Sequence, residues 1–74
     1  MLGAQVESAL GPIIGTTLAM ISVDLEARRL GKTKATIEHI DLPRLAENLS
    51  GRLRLVVGAD LAEVAAKRVR EMML

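Results

Sequence analysis

The chain contains no Phe, Tyr, Trp or Cys, yet half of its 74 residues are hydrophobic. Any core it forms is therefore packed from Leu, Ile, Val, Met and Ala alone. A domain of this length buries only about 60% of the surface its unfolded chain exposes. Small domains usually compensate with disulfides, a metal or a partner subunit. The lack of cysteine removes disulfides and thiolate metal sites together. Association is the support that remains, so a single domain spanning 1–74 is expected to form a homo-oligomer, a dimer or higher. Without aromatic faces the chain also lacks platforms on which unpaired bases stack, which argues against single-stranded nucleic acid as a ligand.

The net charge of +1 hides an uneven distribution. Residues 1–27 carry Glu7, Asp24 and Glu26 and no Lys or Arg, after which Arg28, Arg29, Lys32 and Lys34 follow closely. A second basic group, Lys67, Arg68 and Arg70, lies near the C-terminus. Cations in the last turn of a helix complement its dipole. Ser8 to Val23 is uncharged, but this run of sixteen residues is shorter than the roughly 20 a membrane helix requires and contains Gly-Pro, Ser and Thr. It reads as a buried helix. No basic residue precedes it in the manner of a secretory signal, so the cytoplasm is the expected compartment.

The expected fold class is all-α, with three or four helices. Pro12 suits a first helical turn, and Gly31 suits a C-terminal stop, giving a helix from about 12 to 30. Ile14, Leu18, Ile21 and Leu25 recur at helical spacing on it. With Gly15 they form the candidate interface, because a stretch apolar nearly all round needs covering on more than one side. Residues 3–10 form either a separate short helix or an extension through a kink at Pro12. Gly11, Gly15 and Ala19 are four apart, a stripe where two helix backbones can approach. On this reading Gly15 tolerates substitution less well than Gly3, which lies near a frayed terminus.

Residues 31–40 predict a polar connection with a short extended stretch near 35–40. Asp41 is an expected N-cap, with Pro43 in the first turn of a helix carrying Leu42, Leu45, Leu49 and Leu53. Residues 52–57 either continue that helix, the favoured reading, or form a short strand. Asp60 and Glu63 match a capping box for a last helix over Leu61 to Met73, with Leu61, Ala65, Val69 and Met72 as its apolar stripe and Val64 alongside. Glu63 and Lys67 are spaced for a helical ion pair.

Little here suits catalysis. His39 is the only histidine, and its neighbours Glu38 and Asp41 sit in a stretch where adjacent side chains point to opposite faces. Gly31-Lys32-Thr33 matches the end of a phosphate-binding loop, but the first glycine of that pattern falls at Glu26, inside a predicted helix. No catalytic residue, metal ligand or cofactor is assigned, and the chain is read as no enzyme.

The stretch from Leu25 to Leu49 resembles the histone fold of archaeal and bacterial histone-like proteins. A helix ending LEARRLGKTK leads to the pair Thr36-Ile37, and Asp41-Leu42 then opens the next helix. The resemblance implies that Lys34 and Thr36 lie at a duplex DNA backbone and that Lys34 pairs with Asp41, and Lys32 of the same basic loop is a further expected DNA contact. DLPRLAENLSG and GADLAEVAAKRV also resemble the helical lid of AAA+ ATPases, and are read as generic helix caps. The leading expectation is a non-enzymatic, homo-oligomeric helical module that binds duplex DNA. The alternative is an accessory subunit that docks onto a protein partner through its apolar N-terminal helix.

Overall fold

A computed structural model of the chain describes residues 1–72. Four helices make up most of it: α1 (Leu2–Ile14), α2 (Thr16–Arg29), α3 (Leu42–Arg54) and α4 (Ala59–Glu71), with a 3-10 turn at His39–Asp41 just before α3. No strand occurs among the described residues, so the fold is all-α. The helices close a ring, α1 packing on α2 and α4, and α3 packing on the same two. The result measures 28 × 23 × 19 Å.

The first break in the chain is not where the Gly-Pro step placed it. Helix α1 begins at Leu2 and continues through Pro12. Proline lacks the N–H that would bond the Ser8 carbonyl, and α1 ends soon afterwards at Gly15, whose φ is +91°. The Gly15 N–H donates to the Gly11 carbonyl at 2.8 Å, and its own carbonyl accepts from the Ala19 N–H at 3.0 Å. One residue thus closes α1 and opens α2. Only glycine enters this backbone region at little cost. Gly11, Gly15 and Ala19 therefore do not share a helix, and the expected small-residue stripe is not formed.

Gly31 does act as the predicted stop. Its N–H donates to the Arg28 carbonyl at 2.9 Å, and the Lys32 N–H donates to the Ala27 carbonyl at 3.0 Å. With φ of +76° at Gly31, this is a Schellman motif, which satisfies the last carbonyls of α2. Of the extended stretch expected near 35–40, only Ile37 and Glu38 lack a turn or helical state. Residues 34–36 turn, and Ile37 drops into the core.

Helix α3 runs on to Arg54, so 52–57 forms no strand. It ends in a turn in which the Val56 and Val57 N–H groups donate to the Leu53 carbonyl at 3.0 and 2.8 Å. Asp41 precedes α3 without capping it through its side chain. Helix α4 opens at Gly58, φ +91°, and no side-chain cap forms there, so the Asp60–Glu63 box is not realised. Its described end is Glu71, and Met73 lies outside the described residues.

The core explains which side of α4 turns inward. Leu42, Leu45, Leu49 and Leu53 of α3 are fully buried, and α4 meets the core with Ala62, Ala65, Ala66 and Val69. Small side chains on one helix let the large ones of its neighbour interdigitate at close range. Leu61 and Val64, expected on the apolar stripe, are therefore left largely outside, and Met72 is half-buried. Val6 and Leu10 of α1 and Ala19, Val23 and Ala27 of α2 complete the cluster. Two polar residues of α2 lie within it, Ser22 and Glu26, both fully buried. The Ser22 hydroxyl has no hydrogen-bond partner among the described residues.

Candidate functional site

The α2–α3 connection holds the residues for which the resemblance implies DNA contact. Lys32 Nζ lies 2.7 Å from Asp41 Oδ2, and the same oxygen accepts the Glu38 backbone N–H at 3.0 Å. The hydrogen bond to Asp41 raises the Lys32 pKa above its ordinary 10.5. The same bond, helped by the Glu38 N–H, lowers that of Asp41 below 3.8. Lys34, which the resemblance pairs with Asp41, instead donates to Glu7 Oε2 on α1 at 2.8 Å. The Schellman turn sends the chain back at Lys32, which brings that lysine to Asp41. Two residues later the backbone of Lys34 passes directly over Gly3 of α1. Thr36 Oγ1 accepts the Thr33 N–H at 2.9 Å, so its hydroxyl closes the loop on itself.

The candidate interface on the N-terminal half divides in two. Ile14 and Leu18 pack against the core of their own chain, together with Ile13. Gly15 is exposed at the bend, Leu25 is half-buried, and Ile21 remains 51% exposed. Helical spacing sets Ile21, Leu25 and Arg29 in one row along α2. That row leads to an open groove of about 330 Å³ lined by Arg29, Gly51, Arg52, Leu55 and Val56.

This groove was not anticipated, and a buried carboxylate organises it. Arg52 Nε donates to Glu26 Oε2 at 2.7 Å, and Arg29 Nη1 donates to Glu26 Oε1 at 3.3 Å. Glu26 is fully buried, whereas the side chains of Arg52 and Arg29 are 34% and 66% exposed. A buried carboxylate is tolerable only when paired and hydrogen-bonded. Here that requirement fixes both guanidinium stems at the rim of the groove. Gly51, next to Arg52 in the chain, lines the same groove, and an added Cβ there would meet nothing within 4 Å. Leu55 is 90% exposed and Val56 59%.

One signal for Glu26 was present in the sequence. Ser22 and Glu26 are spaced to lie on the same side of α2 as Ala19 and Val23, which makes an acidic residue on the inward face. Its partner Arg52 stands 26 positions away, and no local pattern reveals such a pairing. His39 is exposed and its side chain makes no hydrogen bond among the described residues. Among the described residues, no helix is long and apolar enough to cross a membrane.

The class that these features define is a small all-α domain with a cation-rimmed aliphatic groove at one end. Comparison with protein-family models, curated proteins and solved structures returns no match for this chain.

Proposed function

We propose that this domain is a non-enzymatic, cytoplasmic interaction module that works as a homo-oligomer, using the aliphatic surface that begins on α2 and ends at the α3–α4 turn. The carrying observation is the state of Leu55 and Val56. Isolated exposed aliphatic residues are ordinary on any protein. These two are consecutive, largely exposed and held by a hydrogen-bonded turn beside an open groove. An exposed aliphatic pair beside a groove supports a site of association.

The total surface sharpens the argument. The chain exposes 4375 Å², close to the roughly 4,450 Å² expected of a folded monomer of 8.0 kDa. Association therefore does not repair a missing core. It covers a specific patch on a domain already closed.

Duplex DNA is the competing partner. Phosphates at Lys32 and Lys34 would have to displace Asp41 and Glu7, each within 2.8 Å of its lysine, whereas a protein surface at Leu55 and Val56 displaces nothing. The test is sedimentation at micromolar concentration of the wild type and of Leu55→Asp, alongside a duplex-DNA shift at low salt. The expected result is a wild-type dimer or larger, a monomeric variant with unchanged helicity, and no shift. A monomeric wild type overturns the proposal. A shift that weakens with salt and is lost on replacing Lys32 and Lys34 would establish DNA instead.

A further inference from the structure

The groove at Arg29 and Arg52 has a counterpart elsewhere on the same chain. The first turns of α4 carry Asp60, Leu61, Glu63 and Val64, all exposed, with Val64 and Leu61 contributing aliphatic surface on the side of Asp60 away from Glu63. Asp60 makes no ion pair among the described residues, and Glu63 meets only Arg70, at 3.6 Å, both partly exposed. The groove offers the converse: two guanidinium groups whose shared carboxylate is withdrawn into the core, beside the aliphatic wall of Leu55 and Val56. Arg52 engages Glu26 through Nε, which leaves its terminal N–H groups without a partner among the described residues.

We propose that two copies of this chain dock reciprocally, the Asp60–Val64 face of each entering the Arg29/Arg52 groove of the other, with Gly51 as the floor that admits it. This rests on the homo-oligomer reading and names its geometry. The two surfaces are joined by the short turn between α3 and α4, so both fall at one end of the domain. A two-fold axis there brings groove to face twice, as an isologous interface requires. Charge complementarity selects the register, and the aliphatic pairs exclude water around it. Glu26 is a positioning residue in this scheme, since it holds both arginines without touching the partner.

Reciprocity makes a decisive mixing experiment available. Arg29→Glu spoils the groove and spares the face, and Asp60→Arg does the reverse. Each variant alone is expected to weaken self-association about tenfold or more, by placing like charges together twice in the dimer. Mixed one to one, each contact is complementary again, and heterodimers form at wild-type concentrations. Circular dichroism checks that both variants stay folded. Because the chain has no cysteine, a second test is independent of charge. Val56→Cys mixed with Leu61→Cys should oxidise to a linked heterodimer, whereas Val56→Cys mixed with Gln5→Cys should not. A wild type that dimerises while both charge variants dimerise equally well, or a mixture that remains monomeric, overturns the docking geometry and leaves self-association standing. A monomeric wild type overturns both.

Discussion

Lys32 reaches Asp41 across nine positions of chain, Nζ to Oδ2 at 2.7 Å, and in doing so ties the end of α2 to the start of α3. Asp41 titrates below its ordinary 3.8. The stability it contributes is thus complete above that pH and is lost as pH falls through the depressed value. Lys32 titrates above 10.5, so its contribution is complete below that pH and is lost as pH rises through the raised value. Thermal melts of wild type and Lys32→Met should therefore differ most across the intervening range. Below pH 3.8 the difference should shrink, and a gap that persists undiminished into strong acid would show that the pair does not link the two helices.

The Glu26 cluster predicts an order of sensitivity. Glu26→Gln keeps the shape and loses the charge-assisted bonds, costing about 2 kcal/mol. Arg52→Met leaves the buried carboxylate with its weaker, longer partner and should cost about 2 kcal/mol, less than a fully buried pair because the guanidinium is partly hydrated. Arg29→Met removes the more exposed cation and should cost under about 1 kcal/mol. Urea denaturation ranks the three. Equal losses for the two arginines would contradict the unequal bond lengths of 2.7 and 3.3 Å.

Gly3 is predicted to be less replaceable than Gly15, the reverse of what position along the chain suggests. A Cβ on Gly3 would overlap the backbone of Lys34, with the Lys34 Cα only 2.7 Å away. Backbone cannot swing aside as a side-chain end can, so Gly3→Ala should cost about 2–3 kcal/mol by overpacking. Gly15→Ala meets open space, so its cost is confined to holding a side chain at φ +91° and ψ 148°, a backbone region that only glycine adopts readily, roughly 1–3 kcal/mol. Melting temperatures of the two alanine variants decide the order.

Ser22→Ala should be neutral or stabilise the domain by up to about 1 kcal/mol, because the hydroxyl is buried without a partner among the described residues and its removal relieves a desolvated polar group. A clear loss of stability would mean that the hydroxyl has a partner in solution.

Much of the helical content was legible because it depends on local chemistry. Leu42, Leu45, Leu49 and Leu53 are spaced for one face and are all buried, and Gly31 supplies a stop whose hydrogen bonds span only a few residues. The errors arose where two local rules competed or where distance mattered. Pro12 can start a helix or sit near its end, and nothing nearby distinguishes these. Leu61 and Ala62 are both apolar, and only the leucines of α3 decide that the smaller faces inward. The pairs Lys34–Glu7 and Arg52–Glu26 join positions 27 and 26 apart. Their partners are selected by the way the helices pack, and one sequence carries no record of that.

The bend at Gly15 also bears on how copies of this chain could exchange parts. Were residues 2–29 one uninterrupted helix, it would extend about 42 Å, beyond the domain's longest dimension of 28 Å. Helix α1 would then project past its own core, and Val6 and Leu10 would find a matching site only in another molecule. A substitution that disfavours positive φ at this one residue therefore pushes the chain toward domain swapping. Gly15→Ala held at high concentration should accumulate exchanged dimers that separate only on unfolding, a slow kinetic signature that reciprocal surface docking would not produce.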